Sequence, residues 1–366
     1  MSAFVVAARR TAVMPRGGAF ARLSLAELAV PVIGACLRDA GIGCDEVDEV
    51  IVANALGAGG NPARVVALAA GLPERVAGLT IDRQCAGGLD AVLLARAMVA
   101  SGMAQVVVAG GVESYSRRPL RLATDPDGGP AVAYDRPAFT PWPERDPDMH
   151  GAAAALASAL GIGRAEQDDW AIQSHAKALA AADPAEIVAL LGQGRDGFAR
   201  PLTQRTALRA KALAGTVTVA NAAIAADAAA FVVVVGENRA RAGGGALRIV
   251  AGVTLGGRPE DPGLAPVAAI RQALDQAGLQ SSDIAVAEIM EAYAVQAIAC
   301  VRGAGLDPER INPGGGALAR GHPIGASGAI LAVRLYHQLH HGFGLAAIAA
   351  AGGIGTALVV ERVKVV

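Results

Sequence analysis

The chain has 366 residues, beyond the roughly 250–300 at which one hydrophobic core usually stops growing, so two packed units or one duplicated unit are expected. Hydrophobic residues make up 53 % and charged residues 18 %, enough apolar surface to exclude a disordered chain. Lys and Arg number 32 against 33 Asp and Glu, a net charge of -1 that argues against a nucleic-acid binder. Aromatics reach only 3 % while glycines number 46, the composition of a tightly layered α/β core built from small side chains.

At the amino terminus MSAFVVAARRTAV carries an apolar run too short for a secretory signal core. The longest apolar stretch, VANAAIAADAAAFVVVV, contains Asp227 and is expected to be buried strand and helix, so no membrane span is expected. Cys36, Cys44, Cys85 and Cys300 have no CxxC spacing, which points to a reducing cytoplasm and away from structural zinc.

In chain order, residues 35–52 (ACLRDAGIGCDEVDEVIV) predict an amphipathic helix ending at Ala-Gly, a polar turn and an apolar strand. A strand at 77–81 (AGLTI) is followed by Cys85 and a helix, a Gly break and a buried strand through 112. The same order returns later: QALDQAGLQSSDIAVAEI (272–289) matches the first stretch, with Leu37, Ala40 and Gly41 against Leu274, Ala277 and Gly278. GASGAILAVRLYHQLHHGFGLAAIAAAGGI (325–354) resembles 85–112. Two matches in one order argue for duplication, each half a strand–helix–strand–helix–strand layer with helices over a mostly parallel sheet. Residues 117–215, richer in Pro and charge and holding Trp142 and Trp170, are expected to form an inserted loop domain. The organisation is therefore 1–116, the insertion 117–215, a return through 216–245, and a second half 246–366.

Cys85 precedes Ala86-Gly87-Gly88 at a helix start, where backbone N–H groups and the helix dipole favour an anion. That placement lowers a thiol pKa and suits a nucleophile, although a packed structural cysteine is the bland alternative. His322 stands before the equivalent helix of the second half, so a pseudo-twofold arrangement brings both helix tips together and lets His322 take the thiol proton. A structural histidine is the bland reading there. His337, His340 and His341 are expected on a solvated helix end, and a zinc site at His337 and His341 lacks a third ligand.

These residues resemble the thiolase family of the acetyl-CoA acetyltransferase type. The motifs are VVAARRTAV, NPARVVALAAGLP (61–73), RQCAGGLDA (83–91), GGVESYSR (110–117), EQDDWAIQSHAKA (166–178), GTVTVANAA (215–223), MEAYAVQA (290–297) and GGGALARGHPIGASGA (314–329). The resemblance implies a duplicated five-layer α-β-α-β-α fold with an inserted loop domain, a homodimer or homotetramer, and an acyl-CoA substrate with no permanently bound cofactor or metal. It implies Cys85 as acyl-accepting nucleophile and His322 as its base, with backbone amides near Cys85 and Gly353 for the oxyanion.

Departures from the family pattern cluster in the site. AAAGGIG (349–355) puts Ala349 where the family has a cysteine acid–base, and a methyl group cannot accept a proton. Met290-Glu291-Ala292-Tyr293 replaces Asn-Glu-Ala-Phe, so Met290 stands for an oxyanion-hole Asn and Glu291 is a candidate substitute base. Asp148-Met149-His150 replaces His-Met-Gly, and Ala223 replaces a Ser. Met149, Ala223 and Tyr293 are carried over as coenzyme-A contacts; 183–205 reads as shortened, and Arg200, Arg205, Arg209 and Lys211 are candidates for the phosphates or a solvated face. The reading is an acyltransferase working through acyl-Cys85, its carbon–carbon step in question. A non-catalytic subunit binding acyl-CoA or a protein, transfer to a non-carbon acceptor or water, and decarboxylative condensation stand as alternatives.

Overall fold

The computed structural model describes residues 2–57, 59–181, 185–240 and 245–363. The first half runs β1 (Ala3–Thr11), α1 (Leu25–Ala40), β2 (Glu49–Ala53), α2 (Pro62–Ala69), β3 (Leu79–Ile81), α3 (Gly87–Ser101) and β4 (Val106–Ser114). An insertion holding α4 (Met149–Leu160) and α5 (Arg164–Ala180) follows, and β5 (Ala226–Gly236) returns to the first sheet. The second half is β6 (Ala246–Gly256), α6 (Ala265–Ala277), β7 (Ile284–Ile289), α7 (Ala294–Ala304), α8 (Ile324–Gln338), β8 (Phe343–Ala350) and β9 (Ile354–Val363).

Local chemistry sets the element ends that repeat in the sequence. Ser24 and Glu27 form a reciprocal capping box at the start of α1, and Gly41 ends it in the left-handed conformation at φ 63°. Gly278 ends α6 in the same way at φ 67°, so the repeated Ala-Gly is a shared helix stop. The strands repeat as well. β1 pairs antiparallel with β5 and β5 with β4, while β4 and β2 run parallel. β6, β9, β8 and β7 reproduce that order and those directions, and the parallel bridge Ala287–Ile311 stands where β3 joins β2. The two sheets meet edge to edge at two residue pairs, Phe4–Arg248 and Val5–Leu247.

The sheets are mixed, not mostly parallel as the patterning suggests. The stretch 219–235 contains no helix; it is loop to Ala225 and then strand, and β5 slots antiparallel between β1 and β4. Its alanines and valines fill both faces of a central strand, which hides the period-two signal that marks a half-exposed strand.

Five layers result. Leu28, Val32 and Ile33 of α1 pack with Val50, Val52, Val106 and Val108 on the outer face of the first sheet. α3 and α8 lie between the sheets, where Leu89, Val92, Leu331 and Leu335 join Val107, Val232 and Leu358. Ile270, Leu274 and Val301 of α6 and α7 cover the outer face of the second sheet against Leu345 and Val359. Burying one such aliphatic side chain contributes about 1.5–3 kcal/mol. The insertion docks through Ala153, Leu156 and Ala157 of α4 on Val295, Ile298 and Ala299 of α7. A buried ionic network ties the 186–196 segment to the core: Arg10 meets Glu186 at 2.8 Å and Asp196 at 2.6 Å, and Arg334 of α8 meets Glu186 at 2.7 Å. The expected boundary at 245 abuts residues 241–244, the last unit ends in 364–366, and the shortened stretch opens at 183–184; all of these lie outside the described residues.

Candidate active site

Cys85 sits in a single tight turn, Gln84–Ala86, that leads directly into α3. Gln84 adopts a left-handed φ of 48°, uncommon for a residue with a side chain, and Asp82 holds it by accepting from its backbone N–H at 2.8 Å and its amide at 3.0 Å. His322 follows Gly321, which has φ 111°, and donates its backbone N–H to Ile224 at 2.8 Å. These anchors leave His322 Nε2 3.1 Å from Cys85 Sγ.

The tautomer of His322 follows from its other partner. Nδ1 lies 2.6 Å from Ser327 Oγ, and Ser327 donates its one hydroxyl proton to Pro323 O at 3.1 Å. Ser327 therefore accepts from Nδ1–H, which leaves the Nε2 lone pair facing the thiol. Burial lowers the imidazole pKa to about 4 and pushes the Cys85 thiol up to about 12. A helix tip on its own lowers a thiol pKa. Desolvation outweighs it, although the N–H groups of Cys85 and Ala351 pull toward the anion. The resting pair is thus neutral thiol and neutral imidazole, set for proton transfer.

Both residues line a cavity of about 460 Å³, together with Met149, Ala223, Tyr293 and Ala349. Its wall is mostly apolar, with Leu156, Pro262, Ile324 and a run of alanines. Tyr115, Gln296 and Asp261 add polar groups that the sequence reading does not single out, and His150, noted there only as part of the altered Asp148-Met149-His150 segment, joins them. Tyr115 lies within GGVESYSR two residues after Glu113, Gln296 lies within MEAYAVQA, and His150 directly follows Met149, so membership of quoted motifs is the signal that could have found these three.

Three other expected site residues stand elsewhere. Met290 is 1 % exposed in the layer between the sheets and does not reach the cavity. Glu291 is buried, and its oxygens accept from Trp170 Nε1, Ser174 Oγ, Asn312 Nδ2 and the Leu318 N–H at 2.7–3.3 Å. It thereby fastens α5 to the second half, with no face toward the thiol. Gly353 has φ 77°, and its carbonyl accepts from Gly257 N–H at 2.7 Å; Ala351 supplies the amide near the sulfur.

Arg205, Arg209 and Lys211 are exposed on the segment that Arg164 of α5 holds through the Ala207 and Ala210 carbonyls, and the Arg200 guanidinium stacks on Phe198. His337 is not on a solvated face: its Nε2 lies 2.8 Å from Ala8 O, and α8 ends at Gln338, before His341. Among the described residues no group of three or more His, Cys, Asp and Glu side chains could hold a metal ion, and no helix is long and apolar enough to cross a membrane.

Glu113 braces the site from behind. Its carboxylate accepts from Asn54 Nδ2 and from the N–H groups of Ala55, Leu56 and Gly325 at 2.8–3.2 Å. Gly325 stands in the first turn of α8, so Glu113 occupies the second helix tip as Cys85 occupies the first. Burial pushes its carboxyl up to about 7 against those donors.

Residues 3–238 match the family model for the thiolase N-terminal domain, and residues 246–362 that for the thiolase C-terminal domain. The chain is 38 % identical to an acetyl-CoA acetyltransferase of Escherichia coli K12, across 98 % of this chain and 99 % of that one. It is also 38 % identical to an acetyl-CoA acetyltransferase of Cupriavidus necator, across 98 % of each. The crystal structure of the Bacillus anthracis acetyl-CoA acetyltransferase superposes with a TM-score of 0.91 at 33 % identity, covering 99 % of both chains. With matching models over both halves and full-length relatives of this similarity, the chain belongs to the thiolase family.

Proposed function

We propose that this protein is a thiolase-type acyltransferase that takes an acyl group from an acyl-CoA onto Cys85. The observation that carries the reading is the His322 Nε2 lone pair held 3.1 Å from the Cys85 thiol on the wall of an apolar cavity. As Sγ attacks the thioester carbonyl, Nε2 takes the thiol proton. The N–H groups of Cys85 and Ala351 meet the oxyanion, and the coenzyme thiolate leaves with the proton from His322. No free thiolate is required, which suits a thiol whose pKa burial raises.

The pantetheine arm fits between Met149 on α4 and Ala223 and Tyr293 opposite, while Arg205, Arg209 and Lys211 on the neighbouring exposed segment suit the phosphates. We also propose a homodimer or homotetramer in the cytoplasm. Family membership and the exposed apolar side chains of Leu122 and Val132 support assembly, and four free cysteines support a reducing compartment.

Intact-protein mass spectrometry after incubation with acetyl-, butyryl- and longer acyl-CoAs tests the reading. One acyl adduct is expected, mapping to Cys85, lost in Cys85→Ser and slowed in His322→Ala. No adduct with any donor would sink it and favour a non-catalytic subunit, which the apolar residues Ala223 and Ala349 in the site would then describe.

A further inference from the structure

Ala349 leaves the cavity without the sulfur that the family resemblance implies there, yet the cavity holds a second hydrogen-bonded pair. Tyr293 Oη lies 2.9 Å from His150 Nδ1, and the rings meet edge to face with centroids 5.7 Å apart. We propose that Tyr293, backed by His150, is the acid–base that moves the proton at the α-carbon of the second acyl group. The inference rests on the acyl-Cys85 reading and concerns the step that follows it.

Two elements fix the pair. Tyr293 is the capping residue just before α7, its backbone bridged to Ala222, and His150 stands in the first turn of α4, its N–H held by Asp148. The same extended segment then pairs with His322 at Ala225. Tyr293 and His322 are thereby anchored on one strip three residues apart, roughly 10 Å along the backbone. Both residues line the cavity that holds Cys85, so an acyl group on the sulfur shares that cavity with the imidazole that serves the thiol and with the phenol.

The other titratable side chains on the wall are placed for other tasks. Asp261 pairs with Arg258 at 3.3 Å. The Tyr115 ring lies under the Arg118 guanidinium, with no hydrogen-bonding base behind its hydroxyl among the described residues. Glu291, which lies off that wall, is held by four donors. A buried phenol resists ionisation, which a neighbouring imidazole remedies by taking the phenolic proton as the phenol oxygen accepts another.

In condensation the α-C–H bond of the second acyl-CoA breaks, its proton going to Tyr293 Oη while the Tyr293 proton passes to His150 Nδ1. The electron pair left on carbon forms the new C–C bond at the acyl-Cys85 carbonyl, and the C–S bond breaks to release the Cys85 thiolate. The proton on His150 leaves to solvent, and the sulfur regains one from solvent through His322, whose Nε2 lies 3.1 Å from it. Thiolysis runs the sequence backwards, Tyr293 protonating the carbanion of the departing acyl-CoA.

The test compares two rates in one protein: single-turnover acetylation of Cys85 by acetyl-CoA, and thiolysis of acetoacetyl-CoA by coenzyme A. In Tyr293→Phe and in His150→Gln, the ratio of thiolysis to acetylation is expected to fall by about 10² or more. Because Tyr293→Phe keeps the ring that meets the pantetheine arm and removes only the hydroxyl, the loss is expected in kcat, with KM for acetoacetyl-CoA within about threefold in both variants, a split that a merely structural role of His150 would not give. Acetylation itself reports that the variants fold. A ratio within about threefold of the parent in either variant overturns the proposal. So does a parent protein that is acetylated but neither cleaves acetoacetyl-CoA nor condenses acetyl-CoA, an outcome that leaves the acyl-Cys85 reading standing. A parent that is never acetylated removes that reading, and this inference with it.

Discussion

Gly88 and Gly328 occupy equivalent positions in the two repeats, and each leaves the space of its missing Cβ to the backbone of the other central helix. A Cβ on Gly88 would stand 2.5 Å from Ala329 N and 2.8 Å from Gly325 O, and one on Gly328 would collide with Leu89 N. This contact presses α3 and α8 together just inside the tips that carry Cys85 and His322.

Substituting Ala for either glycine should therefore separate the tips. Neither helix can yield locally, because the clash is with backbone. We expect a stability loss at or above the about 1–3 kcal/mol of ordinary overpacking, read as a lowered Tm. Cys85 acylation should slow beyond what that loss explains. An unchanged acylation rate in folded Gly328→Ala would show that the sulfur–imidazole distance does not depend on this crossing.

The pH profile of Cys85 acylation should be displaced to the acid side. His322 acts as the neutral base, and burial lowers its pKa to about 4 from the usual value near 6.5. Protonation removes the base only as pH falls through about 4, so the rate should hold steady from pH 7 down to about 5. An acid limb centred near 6.5 would contradict the desolvated imidazole.

Arg10 is fully buried between Glu186 and Asp196, and Glu186 is shared with Arg334. Arg10→Met leaves two buried carboxylates short of a partner, for which a loss of about 3–5 kcal/mol is expected in chemical denaturation. Both acids are held below their ordinary values by the arginines. Their stabilising contribution is thus present above the unfolded carboxylate pKa and disappears as pH falls through the lowered folded value. Stability of the variant should accordingly depend less on pH below about 4 than that of the parent.

Restoring a sulfur should relieve the demand on the phenol. Ala349→Cys places a thiol on the cavity wall, and in the Tyr293→Phe background it should raise thiolysis by about 10²-fold, the lower end of the 10²–10⁴ typical of acid–base assistance. The assay is acetoacetyl-CoA cleavage, and no gain would mean that position 349 does not face the α-carbon.

The duplication was legible because helix stops are local: Gly41 and Gly278 need the same left-handed backbone, so the residue recurs. The approach of Cys85 to His322 followed from that symmetry. Strand direction was not legible, because β5 is apolar on both faces and its partners are set by the insertion before it. That Met290 and Glu291 stand away from the cavity was not legible, since Met290 packs into the layer between the sheets and Glu291 is held by Trp170 and Ser174, partners far along the chain. Nor could the thiol's raised pKa be read from helix placement, since desolvation depends on the enclosing walls contributed by α4 and the 349–351 segment.

The two ancestral copies are chemically unequal at the point where they match best. One helix start presents sulfur to the cavity, while at the other the protein's own Glu113 carboxylate fills the anion-binding amide of Gly325. A plug built into the chain cannot be displaced by substrate. Labelled acyl donor should hence saturate at a single equivalent per polypeptide, however closely the second copy mirrors the first.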